Sequence, residues 1–225
     1  MFERYAIFYT PPAGPLADFT AAWLGWDSEK ARAVSHPSIA CLDVSKVPAT
    51  PRRYGFHGTL KAPFHLASGC TRDELMAAVE ELSTRQAPVV LDRLQPSQTS
   101  GFIALRPHKQ TAVLRRFAAQ IVQELDPFRA PLTGFDIDRR RQAGLTARQD
   151  RQMLDWGYPF IFDDFNFHLT LSGTLDPTQG KIVMDLLQPS LEPILPKPFS
   201  IEALTLVGQG NEGMFHQIHR YTLTG

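Results

Sequence analysis

This sequence predicts an α+β fold of two related halves facing each other across a groove, and three observations predict it. The string His-x-Thr-Leu occurs twice, as His57-Gly58-Thr59-Leu60 and as His168-Leu169-Thr170-Leu171. Each copy lies in a run that alternates apolar and polar residues, the mark of a half-buried β-strand, because side chains two apart on a strand share a face. After each copy the same elements follow: helix, strand, turn and strand. The first of those strands begins near residue 89 in one copy and near residue 199 in the other, 32 residues beyond His57 and 31 beyond His168. Such a series is an internal repeat at the level of structure. We therefore expect a single bilobal domain over residues 1–225, with motif strands near 56–61 and 165–172, lobes related by a pseudo-twofold axis, and an antiparallel sheet with helices in each.

The elements can be taken in chain order. Tyr5 to Tyr9 reads as an aromatic strand stopped by Pro11-Pro12, and Pro15 to Leu24 as an amphipathic helix carrying Leu16, Phe19 and Trp23 on one side. A short helix is expected near Glu29 to Ala33, after which Pro37, Pro48 and Pro51 break the chain. Beyond the first motif, Thr71-Arg72-Asp73-Glu74 is a capping box for a helix over 72–84. Val89 to Leu94 and Phe102 to Arg106 read as strands joined by a polar turn, and Gln110 to Leu125 as a helix. Gly134 to Gln152 is polar and basic; its arginines between Arg139 and Arg151 fit a solvated helix or helix pair, with a phosphate-facing patch as the alternative. The second motif is followed by a helix over 177–187 and by strands over 199–207 and 215–223.

Composition narrows the class. Hydrophobic residues make up 43% and charged residues 20%, as in ordinary globular domains. Lys+Arg and Asp+Glu balance at 23 each, so no global charge draws the chain to nucleic acid or to an anionic membrane. The charged start of Met1 to Tyr9 does not suit a signal peptide, and no run approaches the ~18 apolar residues of a membrane span. Cys41 and Cys70 make neither a disulfide framework nor a zinc ribbon. A cytoplasmic protein is expected.

Two imidazoles, each with a hydroxyl two residues on, suit paired general acid and base work on a phosphodiester. An unperturbed imidazole titrates near pH 6.5, so one ring can start neutral and the other protonated. Thr59 and Thr170 are placed to donate to non-bridging phosphate oxygens. Lys61 falls on the His57 face by parity, and Ser172 continues the alternation after Thr170. These two, with Tyr158, are expected to bind substrate. His216-x-x-His219, Asp163-Asp164 and Asp136-x-Asp138 lack the spacing of a metal site, and no Gly-rich phosphate loop or Gly-x-Ser-x-Gly elbow is present. The alternative from another class is a phosphate-binding module without turnover.

The duplicated motif is similar to that of the two-histidine (2H) phosphoesterase superfamily, which includes the RNA ligase-like cyclic phosphodiesterases. The strings Arg53-Tyr54-Gly55-Phe56-His57-Gly58-Thr59-Leu60-Lys61-Ala62-Pro63-Phe64 and Trp156-Gly157-Tyr158-Pro159-Phe160, followed by Phe167 to Leu171, resemble a branch associated with phosphonate metabolism. The resemblance implies a bilobal α+β fold, and cofactor- and metal-independent hydrolysis of a cyclic phosphodiester. It also implies His57, Thr59, His168 and Thr170 as the catalytic set. The branch implies a small ribose-derived cyclic phosphate as substrate. A monomer acting on a small phosphorylated molecule, away from membranes, is the expectation; the alternative is an RNA-end 2′,3′-cyclic phosphodiesterase or 2′–5′ ligase.

Overall fold

The computed structural model describes residues 2–40 and 42–225, so Met1 and Cys41, named above, lie outside it. It is an α+β structure built on one antiparallel sheet of seven strands. The strands of that sheet are β1 (Arg4–Tyr9), β4 (Gly58–Phe64), β6 (Leu94–Thr99), β7 (Phe102–Pro107), β8 (Leu169–Thr170), β10 (Ala203–Gln209) and β11 (Phe215–Thr222). Their order is β11-β10-β1-β4-β8-β7-β6. Two small ladders accompany it: β2 (Trp26–Asp27) with β3 (Arg32–Ala33), and β5 (Val89–Leu91) with β9 (Phe199–Ile201).

The two motif strands are neighbours at the middle of the sheet, in register at Gly58↔Leu169. Both residues are the central residue of their His-x-Thr, so a pseudo-twofold axis passes through this rung. About that axis β1 answers β7 and β6 answers β10, while β11 has no counterpart. The sequence spacing set β7 against β11. In the sheet β7 instead opens the second half as β1 opens the first, each followed by a helix, α1 (Pro15–Leu24) or α3 (Ala112–Glu124). Each half also takes a strand from the other repeat: β10 pairs with β1, and β6 pairs with β7.

Burial follows the alternation. Tyr5, Ile7 and Tyr9 of β1, Leu60 of β4 and Phe167, Leu169 and Leu171 of the second motif enter one large core. The apolar stripes of α1, α2 (Arg72–Thr84), α3 and α6 (Pro177–Leu191) supply the rest, with Trp23, Val79, Ile121 and Leu187 almost wholly buried. Gly58 belongs to this face, and a Cβ there would sit 2.5 Å from the Phe167 ring. Only glycine lets the two motif strands approach over that ring. On the opposite face Ala6, Phe8, Val207 and Phe215 form a second, small cluster, with Tyr54 against it.

Several local expectations change. Near Glu29 a hairpin, β2–β3, replaces the expected helix, because the Asp27 carboxylate accepts from the backbone N–H groups of Glu29 and Lys30 and turns the chain. The polar stretch after Leu94 is strand β6 rather than turn, paired with β7 along its length from Leu94↔Pro107 to Thr99↔Phe102. The strand expected over 165–172 is laddered only at Leu169–Thr170. Just before it, the Gln110 side chain donates to the Phe167 carbonyl and accepts from the Phe167 N–H, taking the bonds a strand partner would have made. The basic segment is a helix pair, α4 (Gly134–Arg141) and α5 (Ala147–Trp156), capped by Thr133 and Thr146. No helix among the described residues is long and apolar enough to cross a membrane.

Candidate active site

The rung Gly58↔Leu169 fixes where the motif side chains stand. In an antiparallel pair it sets His57 across from Thr170 and Thr59 across from His168, with Cβ atoms of facing residues roughly 5 Å apart and the diagonal His57–His168 pair roughly 7 Å apart. All four leave the sheet on the face opposite the large core. His57, Thr59 and Thr170 line a cleft of about 590 Å³, and Phe102, which packs near His168, lines it too.

The two imidazoles are held in the same way. His57 Nδ1 lies 2.9 Å from the Gly55 carbonyl, and His168 Nδ1 lies 2.7 Å from the Asn166 carbonyl, each two residues back along its own chain. A carbonyl can only accept, so each Nδ1 carries a proton and each neutral ring keeps its lone pair on Nε2. On the first side Gly55 makes this possible with φ at 68°, in the left-handed region, which turns its carbonyl back toward the ring. The His57 ring stacks on Phe8 at 3.9 Å between centroids and lies 5.5 Å from Tyr54. His168 lies 5.7 Å from Phe102.

These surroundings hold the rings toward their neutral forms. Burial pushes His57 down to about 4; the Gly55 carbonyl opposes that fall and the nearby His168 adds to it. Burial also lowers His168, against the Asn166 carbonyl, and the Arg106 charge lowers it further. Arg106 stands across from His168 by the register Leu105↔Leu169, while its guanidinium bonds Ser97.

Tyr158 lines the cleft, with the Arg140 guanidinium 5.3 Å above its ring. Lys61 does not reach it. The ladder pairs Phe8 with Thr59 but Ile7 with Lys61, so an extra residue in β4 turns Lys61 to the Ile7 face. There it is 3% exposed, and its ammonium donates to the Val122 carbonyl and pairs with Asp126 at 3.2 Å. Burial brings it down to about 8, resisted by Asp126. Ser172, the matching position of the second motif, meets a similar irregularity: both Leu171 and Ser172 N–H groups donate to Ile103. Its buried hydroxyl borders the cleft but is engaged by the Ile103 N–H and the Gly173 carbonyl. Parity counting from His57 failed at Lys61 because of the bulge directly after Thr59-Leu60, whereas Ser172 does border the cleft.

Sequence reasoning missed Arg4 and Arg53, and placed Arg139 and Arg140 only in a basic segment read as solvated, with a phosphate-facing patch as the alternative. Arg4, Arg53, Arg139 and Arg140 border the cleft alongside His57. A signal for Arg4 was present: Arg4, Ala6 and Phe8 alternate on β1, and Phe8 packs on His57. Helices α4 and α5 divide their charge between two directions. Arg141 pairs with Asp150 and Arg148 with Asp164, whereas Arg139, although paired with Asp136, and Arg140 both border the cleft. Among the described residues no group of three His, Cys, Asp or Glu side chains is placed to hold a metal ion.

Residues 59–216 match the family described as "Protein of unknown function (DUF1045)". The chain is 32% identical over 218 residues to a protein of Janthinobacterium sp. (strain Marseille) named "Ribose 1,5-bisphosphate phosphokinase PhnN", a match covering 93% of this chain and 48% of that one. A protein of the same name from Laribacter hongkongensis (strain HLHK9) is 35% identical over 175 residues, covering 77% and 40%. The chain thus spans about half the length of the curated relatives it matches, or less. Among solved structures, E. coli LigT complexed with 3′-AMP aligns over the full length of both chains at 14% identity and a TM-score of 0.48. A structure described as a phosphoesterase aligns over 99% of both at 15% identity and a TM-score of 0.43.

Proposed function

The chain belongs to the DUF1045 family, and from that premise we propose that it hydrolyses a small cyclic phosphodiester, ribose-derived, by paired-histidine acid–base chemistry without a metal. The observation that carries the proposal is the matched holding of the two imidazoles. Each is fixed by a backbone carbonyl at Nδ1, so each can offer Nε2 to the same phosphoryl group from opposite sides of one rung. His57, the more strongly held neutral, takes the proton of a water. His168 gives a proton to the leaving oxygen, and Thr59 and Thr170 donate to the non-bridging oxygens as charge grows on them. The name of the two relatives contains a ribose phosphate, and this supports a ribosyl substrate. A kinase reaction is not the one these residues support, since the sequence carries no Gly-rich phosphate loop.

A panel of cyclic phosphates assayed in EDTA tests the reading. Turnover should persist in chelator. Activity that disappears with EDTA and returns on adding a divalent metal overturns it.

The pH dependence follows from the environment of the rings. The base must be neutral, so kcat/KM should rise as pH climbs through about 4, the position of His57. The acid must be protonated, so kcat/KM should fall at a pH below the ordinary ~6.5 of histidine, because His168 is lowered. A bell with its maximum on the acid side of neutrality is expected for free enzyme and substrate. A profile that still rises between pH 7 and 9 contradicts the assignment.

A further inference from the structure

The cleft holds more positive charge than one phosphodiester uses. Arg140 extends from α4 over the Tyr158 ring, and its Nε is buried with no hydrogen-bond acceptor among the described residues. Asp136 offsets part of its charge but gives its close contacts to Thr133 and Arg139, and Asp150 pairs with Arg141. Arg4 borders the same cleft from β1, close enough that its charge disfavours that of Arg140. Gln209 occupies the Arg4 Nε. A buried donor left unmatched and two like charges facing one space are both unfavourable unless an anion completes them.

The position of this pair on the sheet separates it from the motif. By the ladder Phe8 lies beside Thr59 and Tyr5 beside Phe64, so Arg4 sits at the far end of β4. Four residues of strand from Phe8 correspond to roughly 13 Å of backbone. The helix pair bringing Arg140 stands between α3 and β8 only; the equivalent stretch of the first half, between α1 and β4, holds the β2–β3 hairpin and turns. The groove is therefore near-symmetric at its centre and carries Arg4 and Arg140 toward one end, with Arg53 beside the first motif.

We propose that Arg140 and Arg4, with Tyr158 beneath the Arg140 fork, form a second anion subsite, and that the substrate is a cyclic phosphodiester bearing an additional phosphomonoester. This rests on the hydrolase reading for the first phosphoryl group alone. A planar guanidinium suits a phosphate through paired N–H donors, which a point charge does not reproduce. A ligand with a charged tail would enter the groove in one orientation only, which the twofold arrangement of histidines cannot impose.

A 2′,3′-cyclic nucleoside phosphate with and without a 5′-phosphate provides the test. In the wild-type protein the 5′-phosphorylated compound should have the higher kcat/KM by about 10- to 100-fold, chiefly through KM. Arg140→Gln and Arg4→Gln should each shrink that ratio toward one, and melting curves should show both variants folded. If Arg140→Gln does not fold, Arg140→Lys, which keeps charge but loses the fork, is read with Arg4→Gln. A wild-type ratio near one, or a ratio that survives both substitutions, overturns the subsite while leaving the hydrolase reading intact. If neither compound is turned over, calorimetry of the same pair decides. Tighter binding of the 5′-phosphorylated compound, lost in the variants, upholds the subsite and rejects the reaction. Equal binding rejects the subsite.

Discussion

Replacing His57 or His168 by alanine should lower kcat by about 10²–10⁴-fold, the usual cost of removing a general acid or base. The two losses should differ in kind. His57→Ala should abolish the acidic limb of the pH profile, since the group that must shed its proton at low pH is gone, and His168→Ala should abolish the basic limb. Their double substitution should cost far less than the product of the single ones, because either histidine is of little use without the other. Neither residue is fully buried, so folding is expected to survive and thermal melts serve as the control. A variant that retains the wild-type rate would remove the paired mechanism. Two unchanged pH profiles of reduced height would instead reject the division of roles.

Phe167→Ala should be the most damaging substitution to the fold, at about 3–5 kcal/mol for the loss of a buried aromatic. Phe167 is 1% exposed and lies directly beneath Gly58, with Tyr9 and Phe165 at 6.3 and 6.5 Å between ring centroids. Its backbone is clamped by Gln110 at both polar atoms. For a chain of this length each kcal/mol corresponds to roughly 2–4 °C, so the melting temperature should fall by roughly 6–20 °C. A fall smaller than about 2 °C would mean that the ring does not support the rung between the motif strands. Because Phe167 adjoins His168 in sequence, activity measured below the melting transition should fall as well.

How much of this was legible beforehand varies with the physics involved. The helices over 15–24 and 72–84 were readable to the residue, since a proline at the first turn and a capping box mark their starts chemically. The polar face of His57, Thr59, His168 and Thr170 was readable because alternation needs only local pleating. Lys61 was misread because a bulge, which depends on the partner strand, shifts parity by one. Gln110 was invisible as a strand partner, since a side-chain amide substituting for a ladder leaves no periodic trace. Arg140 could be narrowed to a basic segment, yet which of its arginines turned inward depended on the pairing of the acids around them.

The exchange of strands between the two repeats also bears on how the chain reaches this structure. The register Ile7↔Leu206 closes a loop of about two hundred residues, an ordering cost on the order of 5 kcal/mol that must be met before the contact repays it. Folding should therefore be slow for its size, as it is for other chains rich in distant contacts. Arg4 and Phe8 cannot take their places beside Gln209 and Phe215 until the C-terminal hairpin docks. The groove becomes competent last, so recovery of function after dilution from denaturant should track the slowest phase rather than the return of helical signal.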